Sequence, residues 1–370
     1  MFNIWILLIY WFSGIGLLSW NGRFEAPKVI SFFIAGFVFC LYFLLHKRNE
    51  FKKLINKNDI FYFLWIITLF ISSVCGVHPL DSILGGSYRH QGLIFFIGLW
   101  ILGKTLLVIP SNYKNLLKLS FIPVVIFESF LIILQFLLYK GRPLGTLGEP
   151  NASAGFLVLC FPFLILGFEK VKEKKILKYL SFLIMIVALI LTGSRSAIVA
   201  YIPLFTFECL TQFRVLKIKK NILIFISLLT IIIFSFILVF RSGFLLRESS
   251  LHENRGLIWR VGVKKIMEKP FLGYGAESGE YVYDLAYKEI EIPLVNIMID
   301  RGHNLLIDIG LWSGFVGLAF FSGWILINAF TIYSSKNWLK LIGFVSVLIY
   351  SFFQPLGVTH WLMFILILNY

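Results

Sequence analysis

The chain has 370 residues, of which 59% are hydrophobic and 14% are charged, and its formal net charge is +15. Soluble domains usually carry about 25% charged residues, so the composition excludes an ordinary soluble protein and predicts one integral membrane domain, residues 1–370. The positive charge does not indicate nucleic acid binding, because the charges lie in short loops between apolar runs, where membrane topology explains them.

Apolar runs long enough to cross a bilayer recur along the whole chain. They predict an all-α polytopic membrane protein with about twelve transmembrane helices. We expect the first run to be a retained helix and not a cleaved signal peptide. The last run is short, and a re-entrant or strongly tilted segment would also fit it. The predicted spans are 2–20, 27–46, 59–77, 91–109, 115–139, 151–168, 176–192, 196–213, 221–240, 303–330, 338–354 and 356–370.

The basic residues of the loops predict the orientation of these spans. One alternating set of short loops contains 18 lysines and arginines, for example in 47–57, 170–178 and 214–220, whereas the other set contains 6. Cytoplasmic loops carry the excess of basic residues, so the first set is predicted to be cytoplasmic, together with both termini. The long loop 241–302 is then extracytoplasmic.

Two short helices are predicted within the long loop. Apolar and basic residues alternate at helical spacing over 254–268, which is typical of an amphipathic helix lying on a membrane surface. Its apolar positions are Leu257, Ile258, Val261 and Ile266, and its basic positions are Arg260, Lys264 and Lys265. Pro270 ends this segment, and a second helix is expected over 278–290.

No metal or cofactor is predicted. The cysteines lie in apolar runs without paired spacing, which favours neither a disulfide framework nor a metal site. The outer loops contain no Asp-x-Asp pair and no histidine cluster of the kind that a metal-dependent sugar transferase would use. The four cysteines are Cys40, Cys75, Cys160 and Cys209.

Arginines next to glycines and apolar segments distinguish the predicted outer face. Arg195 lies in a very tight turn between two apolar spans, where an unpaired arginine costs up to about 3 kcal/mol. An anionic partner would remove that cost, although a snorkelling arginine that only sets topology is the alternative. A guanidinium group can bind two phosphate oxygens at once, so several such arginines would suit a lipid-linked pyrophosphate. The other outer arginines are Arg89, Arg142, Arg255, Arg260 and Arg301.

His303 is the best candidate for a general base. It stands where the long loop enters the next span, within Arg301-Gly302-His303-Asn304. Cations and a helix N-terminus disfavour a charged imidazole, and a neutral imidazole could accept the proton of an acceptor hydroxyl. The alternative is that the histidine only caps the helix.

Five stretches, in chain order, resemble the O-antigen ligase family of bacterial membrane proteins. They are 85–92 (Gly-Gly-Ser-Tyr-Arg-His-Gln-Gly), 142–151 (Arg-Pro-Leu-Gly-Thr-Leu-Gly-Glu-Pro-Asn), 191–197 (Leu-Thr-Gly-Ser-Arg-Ser-Ala), 255–275 (Arg-Gly-Leu-Ile-Trp through Pro-Phe-Leu-Gly-Tyr-Gly) and 302–317 (Gly-His-Asn followed by Gly310, Gly314 and Gly317). All five lie on the predicted outer side.

The resemblance implies a GT-C-like helical glycosyltransferase in the bacterial inner membrane. It further implies a donor glycan on undecaprenyl pyrophosphate, metal-independent inverting transfer, and an acceptor that is a glycan, a lipid A core or a protein. By the same resemblance, Arg195 and Arg255 become ligands of the donor pyrophosphate and His303 becomes the catalytic base. Secondary contacts with substrate are implied for Arg89, Arg142, Arg260 and Asn304.

The sequence leaves the acceptor open between O-antigen ligation, polymerisation of repeat units and protein O-glycosylation. We expect the 254–268 segment to cover the site and to move when substrate enters. A transporter of lipid-linked glycan is a rival from another class, and it would show charges near the middle of the membrane and paired broken helices. A non-enzymatic scaffold is a further rival, but it would not need a base beside the arginines.

Overall fold

The structure is a computed structural model that describes residues 28–30, 32–34, 58–86, 88–108, 110–139, 141–171, 175–215, 254–291 and 298–369. Helices joined by loops and turns make up this part of the chain. These residues contain no strand, so the predicted all-α class is confirmed. The helices, numbered in chain order, are α1 (Asp59–Val74), α2 (Pro79–Leu84), α3 (Leu93–Val108), α4 (Ser111–Tyr139), α5 (Pro150–Lys170), α6 (Lys175–Thr192), α7 (Arg195–Val215), α8 (Arg255–Glu268), α9 (Gly279–Glu289), α10 (Leu305–Ser334), α11 (Trp338–Phe353) and α12 (Val358–Asn369).

Four of these helices, α4, α5, α6 and α10, are long and apolar enough to cross a membrane, and α1, α3, α11 and α12 are shorter apolar helices. The protein is therefore an integral membrane protein. Each predicted span that begins at or after residue 59, apart from 221–240, coincides with a helix to within a few residues. The predicted spans 2–20 and 221–240, and most of 27–46, lie outside the described residues, so the count of about twelve stays a prediction.

Helix α5 forms the centre of the bundle and contacts α4, α6, α7, α11 and α12. Its sequence is apolar on all sides, which is typical of a helix that is buried all round. Aromatic rings fix its neighbours: Phe163 stacks on Phe121 of α4 at 4.7 Å, and Phe161 meets Tyr201 of α7 edge-on at 5.0 Å between ring centroids. This packing holds the first turn of α5 in place beneath the site described below.

Helix α10 is interrupted at Gly314, whose φ of 62° is in the left-handed region. The Pro-x-x-Gly-x-Gly segment 270–275 fills the interruption: Phe315 N donates to Pro270 O (2.6 Å) and Tyr274 N donates to Leu311 O (2.8 Å). A side chain at Gly314 would collide with the backbone of 271–272. Non-helical backbone at membrane depth is tolerated where protein buries it, and here the inserted segment supplies the missing hydrogen bonds.

The outer loops of the predicted topology meet at one end of the bundle. Val77 N donates to Tyr274 O (3.1 Å), which joins the loop after α1 to the segment between α8 and α9. The hydroxyl of Tyr350 in α11 donates to Asn151 O in the first turn of α5 (2.9 Å). All the sequence-predicted arginines and His303 therefore belong to segments at this end. Which side of the membrane this end faces stays a prediction.

Helix α8 is buried on one face by protein. Ile258, Val261 and Ile266 are buried, and α8 contacts α9 and α10. Lys265, one of the basic positions in the pattern, is buried, and its ammonium group pairs with Glu268 (2.9 Å) and Glu289 (2.5 Å). Periodicity alone cannot detect such a partner, since Glu289 lies in another helix.

Candidate active site

Two arginines occupy the first positions of two helices. Arg195 begins α7 directly after a turn at Gly193 and Ser194, and Gly193 adopts a left-handed φ of 66° that permits the turn. Arg255 begins α8, where the side chain of Asn254 caps the helix by accepting from Gly256 N (2.9 Å). Free N–H groups and aligned peptide dipoles make a helix N-terminus positive, so each helix adds to the charge of its arginine.

The two guanidinium groups are close enough to repel each other. The pKa of Arg255 is lowered, first by burial and then by Arg195, while Tyr350 and Glu149 act in the opposite direction. Within the part of the chain described, the Arg255 guanidinium makes no hydrogen bond and no ion pair. The region between Arg195 and Arg255 is therefore positive and suited to an anion.

His303 lies beside this positive region and does not cap a helix. The cap of α10 is Asn304, whose side-chain oxygen accepts from Leu306 N (2.9 Å) and Ile307 N (3.3 Å). His303 itself precedes this cap and adopts a left-handed φ of 51°. The capping alternative considered for His303 therefore belongs to its neighbour.

The His303 imidazole is neutral at physiological pH. Burial lowers its pKa from 6.5 to about 4; Asp300 opposes this shift, whereas Arg255 and Arg89 add to it. Its Nδ1 is buried without a partner among the described residues, so we assign the side-chain hydrogen bond with Gln354 to Nε2. That bond raises the pKa, as expected if Nε2–H donates to the amide oxygen. The lone pair of Nδ1 is then available to accept a proton.

Arg142 joins the first turn of α5 to the turn that precedes Arg195. Its Nε donates to Thr192 O (2.8 Å), and a terminal nitrogen donates to Asn151 Oδ1 (3.0 Å). Glu149 caps α5 from the same loop by accepting from Ala152 N (2.9 Å). Arg142 thus holds two helix N-termini together, whether or not it also contacts substrate.

Arg89 approaches His303 from the loop between α2 and α3. Its guanidinium pairs with both carboxylate oxygens of Asp300, one of them at 3.3 Å, and lies 5.3 Å from the ring centroid of Tyr88. Burial raises the pKa of Asp300, but Arg89 outweighs this effect and leaves the net pKa lowered. Asp300 is therefore an anion within electrostatic range of His303.

Arg260 is the predicted residue that the structure does not bring into this cluster. It is exposed on α8, and it is absent from the groups that shift the pKa of Arg255 or His303. The residues that sequence reasoning missed are Glu149, Asp300 and Gln354. Of these three, only Glu149 could have been predicted from the sequence, because an acidic residue directly before Pro150 is recognisable as a helix cap.

The described ranges contain no group of three or more His, Cys, Asp or Glu side chains that could hold a metal ion. The arrangement defines a class: an integral membrane protein whose helical bundle carries, at one end, a cluster of cationic side chains beside a neutral imidazole. Such a site can bind an anionic leaving group and accept a proton next to it.

Comparison with known proteins supports a family. Residues 180–322, which include Arg195, Arg255 and His303, match the family described as O-antigen ligase. The chain is also similar to the ComP-specific O-oligosaccharyltransferase of Acinetobacter baylyi (strain ATCC 33305 / BD413 / ADP1), with 25% identity over 314 residues that cover 75% of this chain and 54% of the relative. Both findings support the resemblance to the O-antigen ligase family, and the chain spans about half the length of that relative.

Proposed function

We propose that the protein transfers a glycan from an undecaprenyl-pyrophosphate carrier to an acceptor hydroxyl at the outer face of the bacterial inner membrane. One observation carries the proposal: the charge of Arg195 acts on Arg255, and the charge of Arg255 acts on a neutral His303. The match of residues 180–322 to the O-antigen ligase family supports ligase-like transfer.

Arg195 and Arg255 hold the donor pyrophosphate. Each guanidinium can bind two phosphate oxygens, and the negative charge relieves the repulsion between the two cations. The pyrophosphate is also the leaving group, so its charge grows as the glycosidic bond breaks. Fixed cations stabilise that charge without reorganising, and the loss of one such donor costs about 10²- to 10³-fold in rate. We therefore propose transfer without a metal ion.

His303 activates the acceptor. The acceptor oxygen attacks the anomeric carbon from the face opposite the pyrophosphate, which inverts that carbon. A new bond forms between the acceptor oxygen and the anomeric carbon, and the bond between that carbon and the phosphate oxygen breaks. The acceptor proton moves to Nδ1 of His303 and then to water, while undecaprenyl pyrophosphate departs as the anion held by the arginines.

Two acceptor classes follow from the comparisons. The family description favours O-antigen ligation, with a lipid A core as acceptor, and polymerisation of repeat units uses the same chemistry. The name of the Acinetobacter relative favours a protein hydroxyl as the second candidate. The site chemistry is the same in each case, because each acceptor presents a hydroxyl to His303.

A transporter would need a broken helix and a charged residue near the middle of a span. The structure has such a break in α10 and such a residue at Glu128, but other parts of the protein bind both. The break in α10 is filled by segment 270–275, whose backbone completes its hydrogen bonds. Glu128, buried in the middle of α4, accepts from Thr146 N (3.1 Å) and Thr146 Oγ1 (2.7 Å) of the loop before α5. Neither feature is left to line an ion path, so the observations favour a transferase over a transporter.

The test combines purified protein in lipid nanodiscs, an undecaprenyl-pyrophosphate glycan, and three separate acceptors: lipid A core, an unlinked repeat unit and a protein with exposed serine and threonine hydroxyls. Product mass identifies the acceptor. We expect Arg195→Ala, Arg255→Ala and His303→Ala to fold and to lose transfer, whereas Arg260→Ala serves as the matched arginine control and keeps it. Full activity in the first three variants would overturn the site assignment.

A further inference from the structure

A buried ion pair lies directly behind His303. A terminal nitrogen of Arg301 donates to Glu277 Oε1 at 2.8 Å, and the two side chains are 3% and 6% exposed. The guanidinium also lies 4.1 Å from the ring centroid of Trp312, in the first part of α10. A buried pair of this kind is weak evidence for stability, because apolar side chains often fill the same space at lower cost. Another explanation is therefore needed for its presence.

The pair joins the loop that carries Arg89 to the segment that carries His303. Glu277 Oε2 accepts from Gly86 N, and Gln91 Oε1 accepts from the Arg301 guanidinium at 3.2 Å. Both Gly86 and Gln91 belong to the loop on either side of Arg89. The guanidinium and carboxylate thus fix that loop against the residues that precede α10.

Hydrogen bonds also fix the backbone on either side of His303. Gly302 N donates to Asp308 Oδ1 at 2.7 Å, and Asn304 caps α10. His303, between them, is held at φ 51°, a left-handed conformation that is unfavourable for a non-glycine residue. Glu277 is also left-handed, with φ 56°. Strained residues of this kind persist where their surroundings determine the backbone, and they cluster at functional sites.

We propose that Arg301 and Glu277 are positioning residues of the transfer reaction, which fix the ring of His303 relative to the Arg195–Arg255 pocket and hold the Arg89 loop beside it. This inference rests on the proposed function, since it requires His303 to be the base. Neither residue touches substrate, because both are buried behind the site. Their effect should therefore appear in the chemical step and not in donor binding.

Conservative variants separate this role from a general loss of stability. Arg301→Lys keeps the positive charge but loses the planar guanidinium, of which one terminal nitrogen donates to both Glu277 and Gln91. Glu277→Gln is nearly isosteric and keeps acceptor capacity for Gly86, but it removes the negative charge. Lys265→Met is the matched control, because it breaks a buried cation's pairs with Glu268 and Glu289 in α8 and α9, away from residues 300–304.

Steady-state transfer is measured per folded molecule in nanodiscs over a range of pH. A displacement of a catalytic group by about 1 Å costs about 100-fold, so we expect kcat to fall about 10- to 100-fold in Arg301→Lys and Glu277→Gln. The donor KM should change less than about threefold, because Arg195 and Arg255 are intact. The pH at which kcat falls on the acid side should also change, because both variants alter the burial of His303 and therefore its pKa. Lys265→Met should keep both kcat and its pH profile.

The outcome distinguishes this inference from the proposed function. If His303→Ala is inactive but Arg301→Lys and Glu277→Gln keep kcat and the wild-type pH profile, the pair is structural and the inference is overturned. If His303→Ala is itself active, the proposed base fails first. Should Arg301→Lys not fold, Glu277→Gln and Gln91→Met decide the matter, because each removes one contact of the pair and leaves the Arg301–Trp312 stacking in place.

Discussion

The free enzyme should remain active in acid to an unusual degree for a reaction that depends on a histidine base. Burial, with help from Arg255 and Arg89, lowers the pKa of His303 from 6.5 to about 4. With that pKa about nine-tenths of the imidazole is neutral at pH 5, whereas an unshifted histidine would be only about 3% neutral. The base form should therefore persist through the mildly acidic range.

Donor binding should move this titration towards neutral pH. In the proposed function, the two phosphates of the donor would bring negative charge to Arg195 and Arg255, which would offset the effect of Arg255 on the imidazole. The pKa of His303 would then be higher in the donor complex than in the free protein. Since kcat/KM reports the free enzyme and kcat reports the complex, the acid limb of kcat should lie at higher pH than the acid limb of kcat/KM.

The assay measures initial rates of transfer from pH 4.5 to 8 at low and at saturating donor. We expect kcat/KM to change less than about twofold between pH 7 and pH 5, because the neutral fraction changes little over that interval. His303→Asn is the control, since asparagine tolerates the left-handed backbone at this position but cannot act as the base. Its residual rate should show no acid limb from this group.

Two results would refute the reasoning. A fall in kcat/KM of about 30-fold between pH 8 and pH 5, absent in His303→Asn, would mean that His303 titrates like an ordinary exposed histidine. A kcat limb at lower pH than the kcat/KM limb would mean that the donor does not bring its charge near the imidazole. The second result would also place the pyrophosphate elsewhere.

Three further predictions concern single positions. Arg195→Lys and Arg255→Lys keep the charge but lose bidentate binding, so each should lower kcat/KM about 10- to 100-fold. The double variant should lose less than the product of the two single losses, because both residues bind one pyrophosphate in the proposed function. A loss equal to that product would contradict this prediction. Arg260→Gln should stay within about threefold of wild type, since a group outside the cluster offers no transition-state contact, and a larger loss would place Arg260 at the site. Gly314→Ala should lower the free energy of unfolding by about 2–5 kcal/mol. The reason is that alanine is unfavourable in the left-handed backbone at this position and that its Cβ would collide with Phe271 O. An unchanged Tm would contradict the packing described.

The helices and the candidate residues could be predicted from the sequence for one physical reason. A membrane span must be apolar and about 20 residues long, so its position appears directly in the sequence. An arginine at the end of such a span is costly without a partner, which makes Arg195 conspicuous. His303 was conspicuous because it stands at the predicted start of a span. Local constraints of this kind act within a few residues and need no knowledge of tertiary contacts.

The partners of these residues could not be predicted, because they come from distant segments. Gln354 contacts His303 from the end of α11, and Asp300 is paired with Arg89 of a much earlier loop. The spacing identified Lys265 only as a basic position, whereas its burial depends on Glu268 and on Glu289 in the next helix. A hydrophobic pattern reports which face is apolar, but it does not report which charged side chain has a buried partner.

The connection between α8 and α10 also changes how substrate can enter. Movement of the amphipathic helix alone would admit the donor only if α8 were free of the bundle. Segment 270–275 follows α8 directly and is hydrogen-bonded into the break of α10, through Tyr274 N to Leu311 O and Phe315 N to Pro270 O. Moving α8 would therefore pull on the first part of α10, which carries His303 at its start.

Arg195 is fixed by a different contact. Arg142 ties the turn before Arg195 to the first turn of α5, whereas Arg255 and His303 stand at the starts of α8 and α10. Helix α11 joins these parts, because it contacts both α7 and α10, and its Phe352 packs edge-on against Trp259 of α8 at 5.5 Å between ring centroids. The two arginines are therefore held by one connected bundle, so the proposed pyrophosphate would meet cations that are already in place.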